Sequence, residues 1–147
     1  VDPAGNFYLS GSNVIKKYDS TGTLLNTIGT GFPGSADGIA TSASFKQPEG
    51  LVSDSTGNIY VADYSNGKIR KIDTSLTVST LTSASAASIT IDNSGNLYIY
   101  GIRKITPTGT VTTIVNTSGY PGMGIAVDSK GNIYYTEGHA IKKITFQ

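Results

Sequence analysis

A chain of 147 residues with 37% hydrophobic and 14% charged residues, 18 glycines and no cysteine has the composition of one ordinary folded domain and lies well short of disorder. Its formal net charge of +1 argues against a nucleic-acid grip made by bulk positive charge, and the missing thiols exclude disulfides, zinc–cysteine centres and cysteine nucleophiles. No apolar stretch approaches the roughly 20 residues of a membrane helix, and no basic start followed by an apolar core marks a signal peptide.

The chain opens on Asp2-Pro3-Ala4-Gly5-Asn6-Phe7-Tyr8. The same pattern, D-x-x-G-N-[FIL]-Y, returns at Asp54–Tyr60, Asp92–Tyr98 and Asp128–Tyr134. A second element follows each copy: Ile15-Lys16-Lys17-Tyr18, Ile69-Arg70-Lys71-Ile72, Ile102-Arg103-Lys104-Ile105 and Ile141-Lys142-Lys143-Ile144. Two linked motifs recurring in register define an internal repeat. In each copy the aspartate (Asp2, Asp54, Asp92, Asp128) is expected to accept backbone N–H bonds of a turn. The glycine (Gly5, Gly57, Gly95, Gly131) supplies positive φ, and the asparagine (Asn6, Asn58, Asn96, Asn132) completes the turn chemistry.

The second copy is the most complete. Glu49–Ser53 reads as strand A, Asp54–Asn58 as a turn, and Asn58–Ala62 as strand B, rich in β-branched and aromatic residues. Asp63–Gly67 turns, Lys68–Asp73 forms strand C, Thr74–Leu76 turns again, and Thr77–Thr82 forms strand D. The unit is a four-stranded antiparallel meander of roughly 36 to 52 residues, the dimensions of a β-propeller blade. Asn58–Ala62 and Gly124–Val127 carry apolar groups on both faces, as a sheet covered on both sides requires. Helical periodicity with caps occurs nowhere. The expected fold is all-β: a propeller segment of four blades over 1–147, with repeats at about 1–31, 45–83, 87–118 and 121–147 and an insertion at 29–47. The first blade lacks strand A and the last lacks strand D. The sequence has no initiator Met and opens inside a pattern, so it is expected to be a fragment or a processed form.

These motifs resemble NHL repeats. The resemblance rests on Pro48-Glu49-Gly50-Leu51-Val52-Ser53-Asp54 running through Asp63 to Ile72, and on Pro121-Gly122-Met123-Gly124-Ile125-Ala126-Val127-Asp128. Gly29–Gly38 with Ala43-Ser44-Phe45 resembles an interblade insertion of bacterial members. The resemblance implies a propeller ring, usually of six blades, and says little about activity. It includes amidating lyases that hold zinc with several histidines. This chain has one histidine, His139, so no metal or cofactor is expected.

Function is expected on the loop rim formed by the B–C and D–A connections, which vary while the A–B turns repeat. The candidate contact residues there are Asp63, Tyr64, Asn66, Tyr100, Tyr120, Glu137 and His139. The paired Lys/Arg residues of strand C could form a positive ring for an anionic ligand. Their recurrence in every blade instead favours stems that cover apolar blade edges while the heads reach water. The Asp-x-x-Gly-Asn turns lack the alternating ligands and late Glu of a calcium loop. No G-x-S-x-G elbow, phosphate loop or dinucleotide fingerprint occurs. The reading is a non-catalytic module that binds a protein or a glycan, not nucleic acid, outside the cytoplasm. Two alternatives stand: a subunit that closes a ring with copies of itself or with further blades, and part of a propeller lyase or hydrolase whose catalytic residues lie in other blades.

Overall fold

The computed structural model describes residues 1–115 and 121–146. Among these residues fifteen strands form four antiparallel sheets. Blade 1 holds β1 (Phe7–Gly11), β2 (Val14–Tyr18) and β3 (Leu24–Ile28). Blade 2 holds β5 (Pro48–Ser53), β6 (Ile59–Asp63), β7 (Lys68–Ile72) and β8 (Thr77–Ser83), joined at its outer edge by β4 (Gly38–Ile39). Blade 3 holds β9 (Ile89–Ile91), β10 (Leu97–Ile99), β11 (Arg103–Ile105) and β12 (Val111–Thr113). Blade 4 holds β13 (Pro121–Val127), β14 (Ile133–Glu137) and β15 (Ala140–Ile144). Apart from β4, which adds out of order beside β8, the strands of each sheet follow one another as a meander, so the chain is an all-β propeller segment of four blades. Blade 1 starts at strand B and blade 4 stops at strand C, as the two linked motifs required.

The core is three separate layers, one between each pair of successive blades. Ile15 and Ile28 of blade 1 meet Ile59, Val61, Ile72 and Val78 of blade 2. The opposite face of blade 2, with Tyr60, Ala62 and Ile69, meets Ile89, Leu97, Ile99 and Ile105 of blade 3. Tyr98 and Ile102 then meet Ile133 and Tyr135 of blade 4. Alternate residues of a strand point to opposite faces, so one strand of a blade serves two layers. That is why Ile59–Asp63 is buried along its whole length.

The repeated motif is a single bonded unit. In blade 2 the Thr56 and Asn58 N–H groups donate to Asp54 Oδ1, each at 2.9 Å. The Asn58 amide and the Tyr60 hydroxyl donate to Asp54 Oδ2 at 2.7 and 3.3 Å. Gly57 closes the turn at φ 91°. The tyrosine bond recurs from Tyr8 to Asp2, Tyr98 to Asp92 and Tyr134 to Asp128, at 3.0, 2.9 and 3.3 Å. The second residue of the basic pair, a lysine, lies over that tyrosine ring in three blades: Lys17 over Tyr8, Lys71 over Tyr60 and Lys143 over Tyr134, with 5.6, 5.9 and 5.3 Å from Nζ to the ring centroid. Such cation–π contacts add roughly 0.5–1 kcal/mol each at exposed sites. Burial would raise the Asp2, Asp54 and Asp92 carboxyls, but the bonds from Asn and from backbone N–H outweigh it, and all three titrate below the usual carboxylate range. Burial, with the Asp92 bond behind it, pushes the Tyr98 phenol up to about 12.

Candidate functional site

The two rims differ in how firmly their backbone is tied. On the A–B/C–D rim every turn is closed by a side chain. The four motif aspartates do so for A–B, while Asp19 and Asp73 each accept two backbone N–H bonds for C–D. The B–C turns on the other rim lack that device and carry the sequence variation. They are Ser12-Asn13, Tyr64–Gly67, Tyr100–Ile102 and Gly138-His139.

Between blades 2 and 3 this variable rim opens into a cleft of about 390 Å³ lined by Tyr64, Ser85, Ala86, Ala87, Ser88, Tyr100 and Arg103. Tyr64 comes from the turn after β6 and Tyr100 from the turn after β10. Their rings therefore belong to successive blades, and the D–A connection Ser85–Ser88 supplies small residues beside them. Arg103 is held from within: its Nη2 donates to the Ser85 carbonyl at 2.7 Å and its Nε to the Tyr100 carbonyl at 3.3 Å. Two amphipathic rings, a cation and serine hydroxyls around an open hollow form a polar, sequence-built binding surface.

The candidate residues divide. Tyr64 is exposed, and it meets the half-buried Tyr100 in this cleft. Asp63 does not belong to the rim surface at all. It is fully buried, because its carboxylate pairs with Arg70 Nη1 at 2.8 Å and accepts the Lys46 N–H at 2.8 Å. Asn66 is turned the same way, donating to Asp63 Oδ2 and to the Gly34 carbonyl at 2.8 and 2.6 Å. Glu137 is bonded to Lys142 across β14 and β15, and His139 is exposed at the turn between those strands. Both stand on blade 4, apart from the cleft. Tyr120 lies outside the described residues.

Two expectations are corrected by the same cluster. As a D–A connection, the insertion at 29–47 is expected on the variable rim with the other B–C and D–A loops. Its strand β4 instead adds to β8, and Ala43 and Phe45 are buried in the layer between blades 1 and 2. Arg70 was expected to send its head into water. It is fully buried, with Nη1 donating to the Ser44 carbonyl at 3.0 Å, Nη2 to the Ala36 carbonyl at 2.8 Å and to Asp37 at 2.7 Å, and its guanidinium 5.2 Å from the Phe45 ring centroid. Arg70 and Arg103 thus do a similar job in successive blades: Arg70 grips two carbonyls of the D–A connection before its blade, and Arg103 grips one there and one in its own B–C turn. The available signal was arginine rather than lysine at this position: a planar fork of five donors can hold several carbonyls where an ammonium holds fewer.

The fold is shared with known proteins. A family model described as the NHL repeat matches residues 45–72. No curated protein matches the chain. Virginiamycin B lyase from Staphylococcus aureus is similar in structure at 18% identity and a TM-score of 0.74, over 99% of this chain and 50% of that one. An auxiliary nutrient binding protein from Bacteroides ovatus is similar at 19% identity and a TM-score of 0.52, over 65% of this chain and 32% of that one. The extracellular domain of a hybrid two-component system from B. thetaiotaomicron is similar at 18% identity and a TM-score of 0.69, over 98% of this chain and 22% of that one. At these identities the likeness carries the fold alone. The chain spans about half the length of the lyase it overlays.

Proposed function

On the premise that this chain is an NHL-repeat β-propeller segment, we propose that it is a non-catalytic binding module acting outside the cytoplasm, and that its partner is a glycan seated in the cleft between blades 2 and 3. One observation carries this reading: Tyr64 and Tyr100 reach the same hollow from two different blades, with Arg103 fixed between them by two backbone carbonyls. A sugar ring offers a C–H face to an aromatic ring and hydroxyls to serine and arginine, so this set of side chains suits it. Arg103 adds a preference for sugars that carry a carboxylate. Proteins of this fold include an extracellular domain and a nutrient-binding protein, which lends the location and the role general support. Among the described residues no helix is long and apolar enough to cross a membrane. A propeller lyase would need acid–base or metal-binding groups brought together, whereas the one histidine stands exposed on blade 4, away from the cleft.

The test is a titration of the folded chain with uronic-acid-containing and neutral oligosaccharides, followed by calorimetry and by tyrosine fluorescence, since the chain has nine tyrosines and no tryptophan. Tyr100→Ala should weaken binding about tenfold or more, and Arg103→Lys should erase the preference for the acidic sugar. Binding that is indifferent to Tyr64→Ala and Tyr100→Ala, or no binding to any sugar, would refute the proposal.

A further inference from the structure

The two walls of the cleft between blades 2 and 3 are supported in different ways. Behind Tyr100 stands the arginine of its own blade, for Arg103 Nε donates to the Tyr100 carbonyl at 3.3 Å. The matching arginine of blade 2 is Arg70, since the two pair with the same position of strand B, Val61 and Ile99. Arg70 is turned into the insertion, and among the described residues its Nε has no hydrogen-bond partner. It grips no carbonyl of the Tyr64–Gly67 turn. The insertion holds that turn instead. Ser65 donates its N–H to the Lys46 carbonyl at 3.1 Å and its hydroxyl to the Gln47 side-chain oxygen, and the Asn66 amide reaches the Gly34 carbonyl at 2.6 Å. Gln47 is in turn fixed by blade 1, because its N–H donates to Asn13 Oδ1 at 3.1 Å. One residue thus bridges the B–C turns of two blades, by its backbone to one and by its side chain to the other. It does so with φ at 49°, next to Asn13 at 61°. Left-handed backbone is uncommon outside glycine, and glutamine lacks the short side chain that eases it for asparagine. Such strain persists where the surroundings over-determine a residue, and it collects at ligand clamps.

We propose that Gln47 is the positioning residue of the cleft: anchored on Asn13, it holds the Tyr64 turn through Ser65 and so sets where the Tyr64 ring stands against Tyr100. The proposal rests on the reading of this cleft as a glycan site and adds what prepares it. Tyr64 is exposed and its turn carries no aspartate closure, so without an outside hold the ring would have to be ordered when a sugar arrives. Ordering an exposed side chain and its loop on binding weakens affinity, and a wall already in place avoids that loss. Gln47 touches no ligand in this scheme. It acts through Ser65, and the spacing of the two rings then depends on the insertion on one side and on Arg103 on the other.

The experiment compares the 147-residue chain with Gln47→Gly, Gln47→Glu and Ser65→Ala. Glycine adopts the left-handed backbone without strain while removing the side-chain bond. Glutamate keeps an acceptor for the Ser65 hydroxyl, and Ser65→Ala removes the donor from the other end. Amide hydrogen exchange at Tyr64 and Ser65 reads the turn with no sugar present. It should quicken about tenfold in Gln47→Gly and in Ser65→Ala, and stay within about twofold of the unaltered chain in Gln47→Glu. In titrations with a uronic-acid-containing oligosaccharide, Gln47→Gly should raise the dissociation constant about tenfold. In a Tyr64→Ala background the same substitution should change it by less than about twofold, whereas general damage to the fold would repeat the full effect there. Unchanged exchange at Tyr64 and Ser65, affinity untouched by Gln47→Gly, or an equal loss with and without the Tyr64 ring would each overturn the proposal. A chain that binds no sugar at all refutes the glycan reading by itself, and the exchange rates then decide whether Gln47 holds the turn.

Discussion

Substituting Asp63 by alanine should unfasten the insertion from blade 2, and its size can be worked from the contacts. The carboxylate is fully buried, 2.8 Å from Arg70 Nη1, and it also accepts the Lys46 N–H at 2.8 Å and the Asn66 amide at 2.8 Å. Asp63→Ala leaves a buried guanidinium short of one anion and a backbone N–H short of its acceptor. Removing one partner of a buried pair costs roughly 3–5 kcal/mol. Arg70 keeps Asp37 at 2.7 Å and the carbonyls of Ala36 and Ser44, so the low end applies, about 3 kcal/mol. With a urea slope of about 2 kcal/mol/M, the midpoint should fall by about 1.5 M. The control is Asp37→Ala. That carboxylate is half exposed, and its loss should cost about 1 kcal/mol. Urea unfolding followed by circular dichroism decides the matter. A cost below about 0.5 kcal/mol for Asp63→Ala, the range of ordinary surface substitutions, would show that the buried pair does not hold the insertion in place.

Other outcomes follow from the repeated turn and its glycines. Asp2, Asp54 and Asp92 have folded values below their unfolded ones. Their contribution is whole above about pH 4 and is lost as pH falls through the lowered folded values, so the urea midpoint should drop on acidification below pH 4. Tyr98 is shifted the other way, from 10.0 to about 12. Its contribution is whole below pH 10 and is lost between pH 10 and 12. Tyr8 and Tyr60 are also raised, by burial and by their own motif aspartates, so phenolate absorbance should show a late-titrating component that Tyr98→Phe reduces by one tyrosine. Gly22 and Gly109 share a φ of 89°, but a Cβ on Gly109 would lie 2.5 Å from the Leu81 carbonyl oxygen while one on Gly22 meets nothing within 4 Å. Gly22→Ala should cost about 1 kcal/mol from backbone strain alone, and Gly109→Ala distinctly more, measured as the difference in unfolding midpoints. Arg103→Lys should loosen the Ser85–Ser88 connection, seen as faster amide hydrogen exchange there with little change in the protection of blade 2.

The strands were legible because four copies of one pattern constrain each other. The pattern puts strand A at Glu49–Ser53 and the structure has it at Pro48–Ser53; strand D, read at Thr77–Thr82, runs Thr77–Ser83. The turn role of Asp54, Gly57 and Asn58 was equally readable, since local side-chain-to-backbone bonds need only neighbours in sequence. The tyrosine bond was the part left unread, although Tyr recurs six residues after each motif aspartate. What could not be read is whatever occurs once. The insertion has no second copy to compare, so nothing in 29–47 revealed that Phe45 turns inward to meet Arg70. Asp63 ends a strand and begins a turn, where an acidic residue is ordinarily solvated. Its burial depends on Lys46 and Arg70, 17 residues before it and 7 after. Tyr64 and Tyr100 were singled out separately, but their convergence depends on how blade 3 leans on blade 2, a relation between sheets and not within one.

The Asp–Tyr–Lys stack has a bearing on how such a chain can lengthen. Every bond in that unit begins and ends inside one blade, so an inserted or deleted blade would carry its own turn, ring and cation intact and ask of its neighbours only an apolar face. Arg70 is wired differently, because its partners at 36, 37 and 44 belong to the segment that leads into blade 2. Genetic duplication could therefore multiply blades of the blade 4 kind freely, whereas blade 2 can be copied usefully only together with the stretch that precedes it.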